Sequence, residues 1–238
     1  MSALATLEIA LRRDRNLAAL AGSHAHRATR EDSLGIIKGR DAITAAWVNE
    51  DVSDITITAD LTDMITYKVK GPRQNWHGHR WVWQEQGRTL REVVIEDRGD
   101  PKVAPPAHPP LGELRSGQGQ YAAGDSATLP PGFPEDARDI ANLLHQAWNG
   151  RAFDLYDRTW LPALIRQLPD ATFYFEHAVV SDQQTAILWR VMGHHSSGQR
   201  VRLIGSSVFT GDVDETVIDH AAMAAQLARV LADYGVAG

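Results

Sequence analysis

Residues 91–97 read REVVIED and residues 214–220 read DETVIDH, so the pattern Glu-Xaa-Val-Ile-acid occurs twice in the chain. A glycine precedes the pattern at nearly the same distance in both places, at Gly71 and at Gly193. Because two separate landmarks recur in register, we predict that the chain contains the same domain twice.

The composition is that of a globular protein with room for two small domains. The chain has 238 residues, of which 43% are hydrophobic and 23% charged, with a net charge of −6. Nothing resembles the basic stripe of a nucleic-acid-binding protein. The absence of cysteine excludes disulfides and thiolate catalysis. No apolar run reaches the ~20 residues of a membrane span, and the first residues lack the pattern of a secretory signal. We therefore expect a cytoplasmic protein that binds neither nucleic acid nor membrane.

Residues 99–134 are rich in proline and glycine, which prevent a regular helix or strand. We interpret them as a linker between a first domain, 1–98, and a second domain, 135–238. In both domains the patterns predict helices followed by strands, which is the α+β class. The predicted helices lie at 3–20, 40–48, 135–148, 153–167 and 221–234, and the predicted strands at 54–70, 76–85, 89–96, 171–180, 184–192, 200–210 and 214–219.

The second half carries an ordered set of short motifs. They are Trp148-Asn149-Gly150, Ala186-Ile187-Leu188-Trp189-Arg190, Gly193-His194, Gly205, Glu215, Asp219 and Gln226-Leu227. In this order they resemble the SnoaL-like polyketide cyclase family of the nuclear-transport-factor-2-like (NTF2-like) superfamily. The first half resembles the family less closely, through GRDAITAAW at 39–47 and its closing EVVIE. The resemblance implies two tandem domains, each a curved antiparallel sheet packed against helices around a cone-shaped pocket.

The resemblance also implies an activity, the intramolecular aldol cyclisation or a related isomerisation of a small apolar or aromatic carbonyl compound, without a cofactor. Asp219 occupies the place of the family's acid/base aspartate. An apolar pocket raises the pKa of such a carboxylate towards the range useful for proton transfer. Asp219 also directly precedes HAAMAAQL, where it can cap a helix, so both roles stay open.

Strand alternation selects further candidates in the second domain. It places Phe175 and His177 on one face of their strand, beside Trp189 of the next strand. If that face is concave, His177 is the second catalytic candidate, and the two aromatic rings are walls for an aromatic substrate. Equally, His177 can be an ordinary core or surface histidine and Trp189 a core residue.

The first domain offers its own candidates in the stretch WHGHRWVW at 76–83. Alternation places His79 and Trp81 on one strand face, and Glu96 stands where the second domain has Asp219. We predict these three residues as substrate-binding groups.

Two His-Xaa-His pairs, His24 with His26 and His77 with His79, have a spacing that can chelate a metal. The sequence places no third ligand near either pair, so we expect no metal site.

Two alternatives to the cyclase reading remain. The chain can be a non-catalytic small-molecule-binding or dimerisation module, since one fold serves several functions. It can also be an epoxide or ester hydrolase that uses a carboxylate-activated water. We expect either a monomer whose two domains pair like a dimer, or a homodimer.

Overall fold

The computed structural model describes most of the chain, without the side chains of residues 221 and 228–233. The described residues are 1–32, 34–47, 52–98, 126–156, 158, 160–195, 197–211 and 213–233. The chain divides into two compact units. One is Met1–Gly99 with Thr216–Ala221, and the other is Asp100–Glu215 with Ala222–Gly238.

The first unit combines three helices with a six-stranded sheet. Its elements are α1 (Ala3–Arg12), α2 (Leu17–Ser23), β1 (His24–Asp32), β2 (Gly35–Lys38), α3 (Arg40–Trp47), β3 (Asp54–Leu61), β4 (Met64–Lys70), β5 (Asn75–Glu85) and β6 (Arg88–Asp97). The strands lie in the order β2-β1-β6-β5-β4-β3. The β1–β6 pair is parallel, and the other neighbours are antiparallel.

The second unit combines helices with a four-stranded sheet. Its elements are short 3₁₀ turns at Glu135–Ala137 and Phe153–Leu155, α4 (Arg138–Trp148), α5 (Trp160–Gln167), β7 (Thr172–Val180), β8 (Thr185–His194), β9 (Arg200–Thr210), β10 (Val213–Ile218) and α6 (His220–Asp233). The residues Thr216–Ala221, at the end of β10 and the start of α6, are grouped with the first unit, whereas the rest of β10 and of α6 belongs to the second. The strand order β10-β9-β8-β7 matches the order β6-β5-β4-β3 of the first sheet. The mixed α+β class is confirmed, whereas the tandem NTF2-like repeat and the domain boundaries stay predictions.

Two long predicted elements are each divided by a turn. The predicted helix 3–20 is two helices, because Arg15 adopts a left-handed φ of 52° and Asn16 then caps α2 by accepting from the backbone of Ala19 at 3.3 Å. The predicted strand 54–70 is a hairpin, which turns at residues 62–63 between β3 and β4. In the described ranges, no helix is both long and apolar enough to cross a membrane.

Two apolar clusters lie among the described residues of the first unit. One packs α1 against β3, β4 and β5; its buried members are Leu4, Ala5, Val52, Ile55, Ile65, Tyr67, Val69, Trp76 and Val82. The other gathers around α3; its buried members are Leu11, Leu20, Ala28, Ile43 and Trp47. The guanidinium of Arg12 lies over an aromatic ring of each cluster, 4.6 Å from Tyr67 and 4.7 Å from Trp47. A charged side chain therefore joins the two apolar clusters.

The core of the second unit is built on Trp148, the last residue of α4. Its ring centroid lies between 5.0 and 5.9 Å from those of Tyr156, Trp160, Phe173, Phe175 and Trp189. Such tilted and edge-on aromatic contacts stabilise a core beyond the burial of area alone.

Two side-chain amides hold helices of the second unit to strand backbones. Asn149 accepts from the backbone N–H of Phe173 at 2.8 Å and donates to its carbonyl at 3.0 Å. Gln226 of α6 makes the same two bonds with Arg202 of β9, at 3.1 and 2.8 Å. Because they pair with both backbone groups of one residue, these amides replace a neighbouring strand at those positions.

Candidate ligand-binding site in the first unit

Five charged side chains meet in the interior of the first unit: Glu8 and Arg12 from α1, Arg80 from β5, and Glu92 and Glu96 from β6. All five are buried. The three strand residues share one sheet face, because β5 and β6 pair in continuous register across these positions and side chains alternate between faces. The sheet therefore presents them to α1.

These side chains form a continuous chain of ion pairs, which we call the charged row: Glu92, Arg80, Glu8, Arg12 and Glu96. Arg80 lies 2.5 Å from Glu92 through Nη2 and 2.5 Å from Glu8 through Nη1. Arg12 lies 2.5 Å from Glu8 through Nε and 2.5 Å from Glu96 through Nη2. The sign of the charge alternates along the row, so each member is next to side chains of the opposite charge only.

Further polar groups hold both ends of the charged row. At one end, Nε2 of His24 lies 3.1 Å from Oε2 of Glu92. At the other, Tyr67 donates from its hydroxyl to Oε1 of Glu96 at 2.9 Å. Arg98 donates to Oε2 of Glu96 from Nε at 2.9 Å and from Nη2 at 2.5 Å. Both oxygens of Glu96 are thus fully engaged.

The row keeps Glu92 and Glu96 ionised. Burial by itself raises the pKa of Glu92, but the charge of Arg80, the hydrogen bond with His24 and the charge of Arg30 together outweigh it, and the pKa falls to about 2. Burial likewise raises the pKa of Glu96, and the charges of Arg12 and Arg98 lower it to about 2. At neutral pH both groups are therefore anions with little tendency to take up a proton.

Beside the row lies a further cation, Arg30 of β1, which is the register partner of Glu92 on β6. Its guanidinium carbon lies 4.5 Å from the ring of Trp47. Its Nε and Nη1 atoms are enclosed, and neither has a hydrogen-bond partner in the part of the chain that the structure describes. Within the same described ranges, Nε1 of Trp47 and Oε1 of Glu92 also lack partners. Buried polar atoms are normally satisfied, so this group stands out.

The three candidates predicted for the first domain do not face one pocket. Glu96 points to the interior with the charged row, whereas His79 and Trp81 lie on the opposite face of the sheet, because His79 pairs with Ile95 and Trp81 with Val93. Both are fully buried. The substrate-binding roles predicted for these three residues stay predictions, but Glu96 cannot share one sheet face with the other two.

His79 is neutral in the folded protein. Burial first, and the charge of His77 second, lower the pKa of His79 to about 3. Among the described residues, neither of its ring nitrogens finds a hydrogen-bond partner.

A β-bulge overturns the predicted alternation in the second unit. Phe175 pairs with Trp189, but His177 pairs with Leu188, so the register shifts between Phe175 and His177. Paired residues share a face, and neighbouring residues of β8 point to opposite faces. His177, which is half-buried, therefore lies on the face opposite Phe175 and Trp189. Its catalytic role stays a prediction.

The predicted substrate walls of the second unit are enclosed in its aromatic core. Trp189 is fully buried and stacks on Trp160 at 5.7 Å with an interplanar angle of 10°. Its Nε1 donates to the hydroxyl of Ser207 at 3.1 Å. Phe175 is 6% exposed. Trp189 therefore has no surface open to solvent and Phe175 has little, and their predicted substrate contacts stay predictions.

Asp219 is half-buried and lies between the last residue of β10, Ile218, and the first residue of α6, His220. This is the position of a helix N-cap. Its predicted acid/base role stays a prediction.

The histidine pairs do not converge on a metal site. His24 is bound to Glu92, and His26 is exposed. Across the described ranges, no group of three or more histidine, aspartate and glutamate side chains is placed to hold a metal ion.

Sequence reasoning found Glu96 but missed the rest of the row and Arg30. One local signal was present: Glu8 and Arg12 are spaced i, i+4 in α1, on the same side as buried Leu4 and Leu11. Residues at that spacing are neighbours on a helix surface, so a charged pair on the apolar side of a helix indicates a buried ionic site.

No protein-family model matches the chain, and no curated protein is significantly similar to it. Solved structures are similar to part of it. The "putative ketosteroid isomerase" from Kribbella flavida DSM 17836 is 17% identical, with a TM-score of 0.37, over 46% of this chain and 82% of that one. The "putative polyketide cyclase" from Acidithiobacillus ferrooxidans is 15% identical, with a TM-score of 0.27, over 44% and 74%. A de novo designed protein with a curved β-sheet is 14% identical, with a TM-score of 0.34, over 40% and 86%. These TM-scores are too low to support an argument about family or function.

Proposed function

We propose that the first unit is a small-molecule-binding domain of the NTF2-like, SnoaL-like type, and that it holds its ligand in the interior beside the charged row. The observation that carries the proposal is the set of enclosed polar atoms on Arg30, Trp47 and Glu92 that find no partner among the described residues. Ligand sites typically combine apolar walls with a few convergent polar groups. The apolar cluster around α3, to which Trp47 belongs, supplies such walls.

Binding fits these residues better than acid/base catalysis does. A general base is most effective when its pKa lies near the working pH. The pKa of Glu92 and that of Glu96 are both about 2. Both oxygens of Glu96 already accept hydrogen bonds from protein groups. The carboxylates therefore serve to hold the cations of the site in place.

A binding screen on the full chain tests the proposal. Small aromatic and apolar carbonyl compounds are screened by thermal shift, hits are measured by calorimetry, and the recovered compounds are checked for conversion. We expect binding at one site without turnover. Trp47→Leu should weaken binding at least tenfold, the order of a lost aromatic contact in a buried site.

Trp83→Leu is the matched control, because Trp83 also lies under an arginine, Arg91 at 4.4 Å, but is only half-buried. Equal losses in both variants, or a panel without a single binder, would contradict the proposal.

A second candidate, hydrolysis of an epoxide or ester, is favoured by one specific atom. Oε1 of Glu92 is enclosed without a partner in the described residues, while Oε2 accepts from Arg80 and lies next to His24. A carboxylate oxygen in that state can orient a water. This candidate ranks second, because a pKa of about 2 makes Glu92 a weak proton acceptor. A panel of epoxides and esters tests it. If the protein hydrolyses any of them and a folded Glu92→Gln variant does not, hydrolysis becomes the favoured function.

The cyclase or isomerase reading, with Asp219 and His177 as acid/base groups, is tested by the same conversion assay. Any turnover found is measured in Asp219→Asn and in Glu96→Gln. If only Asp219→Asn loses turnover, the result supports that chemistry. A folded Asp219→Asn variant that keeps its turnover would contradict it.

A further inference from the structure

We propose that Arg30 is an anion-recognition residue, and that the ligand of the first unit carries a carboxylate which Arg30 binds. The inference rests on the proposed small-molecule-binding function and adds to it the chemical class of the ligand.

The first support is the placement of Arg30. The residue is 8% exposed, and two of its three guanidinium nitrogens are enclosed with no partner among the described residues. Arg30 lies beside Glu92 in register, yet Glu92 receives its hydrogen bonds from Arg80 and His24 instead. The enclosed Nε and Nη1 atoms have lost their hydration, and no hydrogen bond within the described residues replaces it.

The second support is the balance of charge. The three carboxylates of the site, Glu8, Glu92 and Glu96, are matched by three guanidinium groups, those of Arg12, Arg80 and Arg98. Arg30 is a fourth cation at the same site. Its charge also acts on Glu92 and Glu96, but four guanidinium groups still exceed three carboxylates by one, so a bound anion would complete the balance.

The third support is the shape of the donor group. A guanidinium offers parallel N–H bonds that match the two oxygens of a carboxylate, and it stacks on aromatic faces. Arg30 is already stacked on Trp47, whose indole N–H is a further enclosed donor without a partner in the described ranges. The neighbouring side chains of that cluster, Ile43 among them, are apolar. This combination fits a carboxylate attached to an apolar or aromatic body.

The experiment uses benzoate as the probe and benzamide as its neutral isostere, with sodium chloride added to equal ionic strength. Binding to the full chain is measured by calorimetry and by the change in tryptophan fluorescence. We expect the wild-type protein to bind benzoate at least tenfold more tightly than benzamide, because a hydrogen-bonded charge contributes more than a neutral pair.

Two variants complete the design. Arg30→Met should reduce benzoate affinity by about tenfold to a hundredfold, the usual effect of losing charge-assisted bonds, and should leave benzamide unaffected. Arg27→Met is the matched control, because Arg27 lies on the same strand with its side chain 77% exposed. It should change neither the affinity for benzoate nor the affinity for benzamide.

In the absence of ligand, Arg30→Met should unfold at the same or a higher urea concentration than wild type. If Arg30 were purely structural, the variant would instead unfold at a lower urea concentration.

The outcomes separate this inference from the proposed function. Equal binding of benzoate and benzamide, or undiminished benzoate binding by Arg30→Met, overturns the anion inference and leaves small-molecule binding standing. If the protein binds neither probe nor any compound of the wider panel, both the anion inference and the proposed small-molecule binding are contradicted. If Arg30→Met does not fold, the comparison of benzoate with benzamide on the wild-type protein still decides the matter.

Discussion

Nη2 of Arg12 lies 2.5 Å from Oε1 of Glu96, although the two residues are 84 positions apart in the sequence. The contact ties α1 to the last strand of the first sheet through two buried charges. Because removing one partner of a buried ion pair leaves the other charge uncompensated, each side of this contact is expected to be sensitive to substitution.

Glu96→Gln should lower the free energy of unfolding by about 3–5 kcal/mol, because Arg12 and Arg98 lose their shared carboxylate. Urea unfolding measures the change. Glu85→Gln is the matched control, since Glu85 of β5 pairs with Arg27 but its side chain is 61% exposed; it should cost less than about 1 kcal/mol.

Glu96→Gln should also change how the free energy of unfolding depends on pH in the acid range. The folded pKa of Glu96, about 2, lies below the ordinary value of 4.5. The unfolded chain therefore binds the proton first, and the contribution of Glu96 is fully present above pH 4.5 and lost as the pH falls towards 2. Glu96→Gln should show a shallower loss of stability across that window, and an unchanged slope would contradict the assignment.

His79→Leu should remove a pH dependence between about 3 and 6.5. The folded pKa of His79 is about 3, against an ordinary value of 6.5, so the unfolded state binds more protons in this window and stability falls as the pH is lowered. The slope is about 1.4 kcal/mol per pH unit. The variant should be more stable than wild type at pH 5, because a buried polar group with no partner in the described residues is removed.

The control for His79→Leu is His26→Leu, because His26 of β1 is exposed. Urea unfolding of wild type and of both variants is measured at pH 5 and at pH 7.5. A His79→Leu protein that is less stable than wild type at both pH values would mean that the imidazole is held by a favourable contact.

Asn149→Ala should lower the free energy of unfolding by about 2–3 kcal/mol, because both backbone groups of Phe173 lose their partner. Asn142→Ala is the control on the same helix; its carboxamide accepts one bond, from the backbone of Ala127 at 2.9 Å, and its loss should cost about 1 kcal/mol. Thermal or urea unfolding gives the ranking, and equal costs would refute the strand-replacing role of Asn149.

Gly205→Ala should destabilise the second unit by about 1–3 kcal/mol, the usual cost of overpacking, because a Cβ there would overlap the enclosed ring of Trp189. Gly22→Ala is the opposite case, since nothing lies within 4 Å of its added Cβ and Gly22 is inside α2. It should stabilise the protein by about 0.5–1 kcal/mol. A tolerated Gly205→Ala, seen as an unchanged urea midpoint, would show that Trp189 can move aside.

Periodicity and turn residues predicted the strands that carry apolar residues. The predicted strand 200–210 is β9 (Arg200–Thr210), and the prediction 184–192 lies within one or two residues of β8 at each end. The polar stretch HAHRATRED at 24–32 gave no strand signal, yet it forms β1. Its strand conformation comes from pairing with β2 and β6, and such distant pairing leaves no local pattern.

The sequence by itself determined the α+β class, the end of α4 at Trp148 and the choice of Glu96 as a candidate, because these depend on residue type and local spacing. The tertiary structure alone decided which side chains meet. A bulge turned His177 away from Phe175, and the charged row joined α1, β5 and β6 around Arg12 and Arg80. Ion pairing and burial depend on distance in space, and the sequence does not encode that distance in any local pattern.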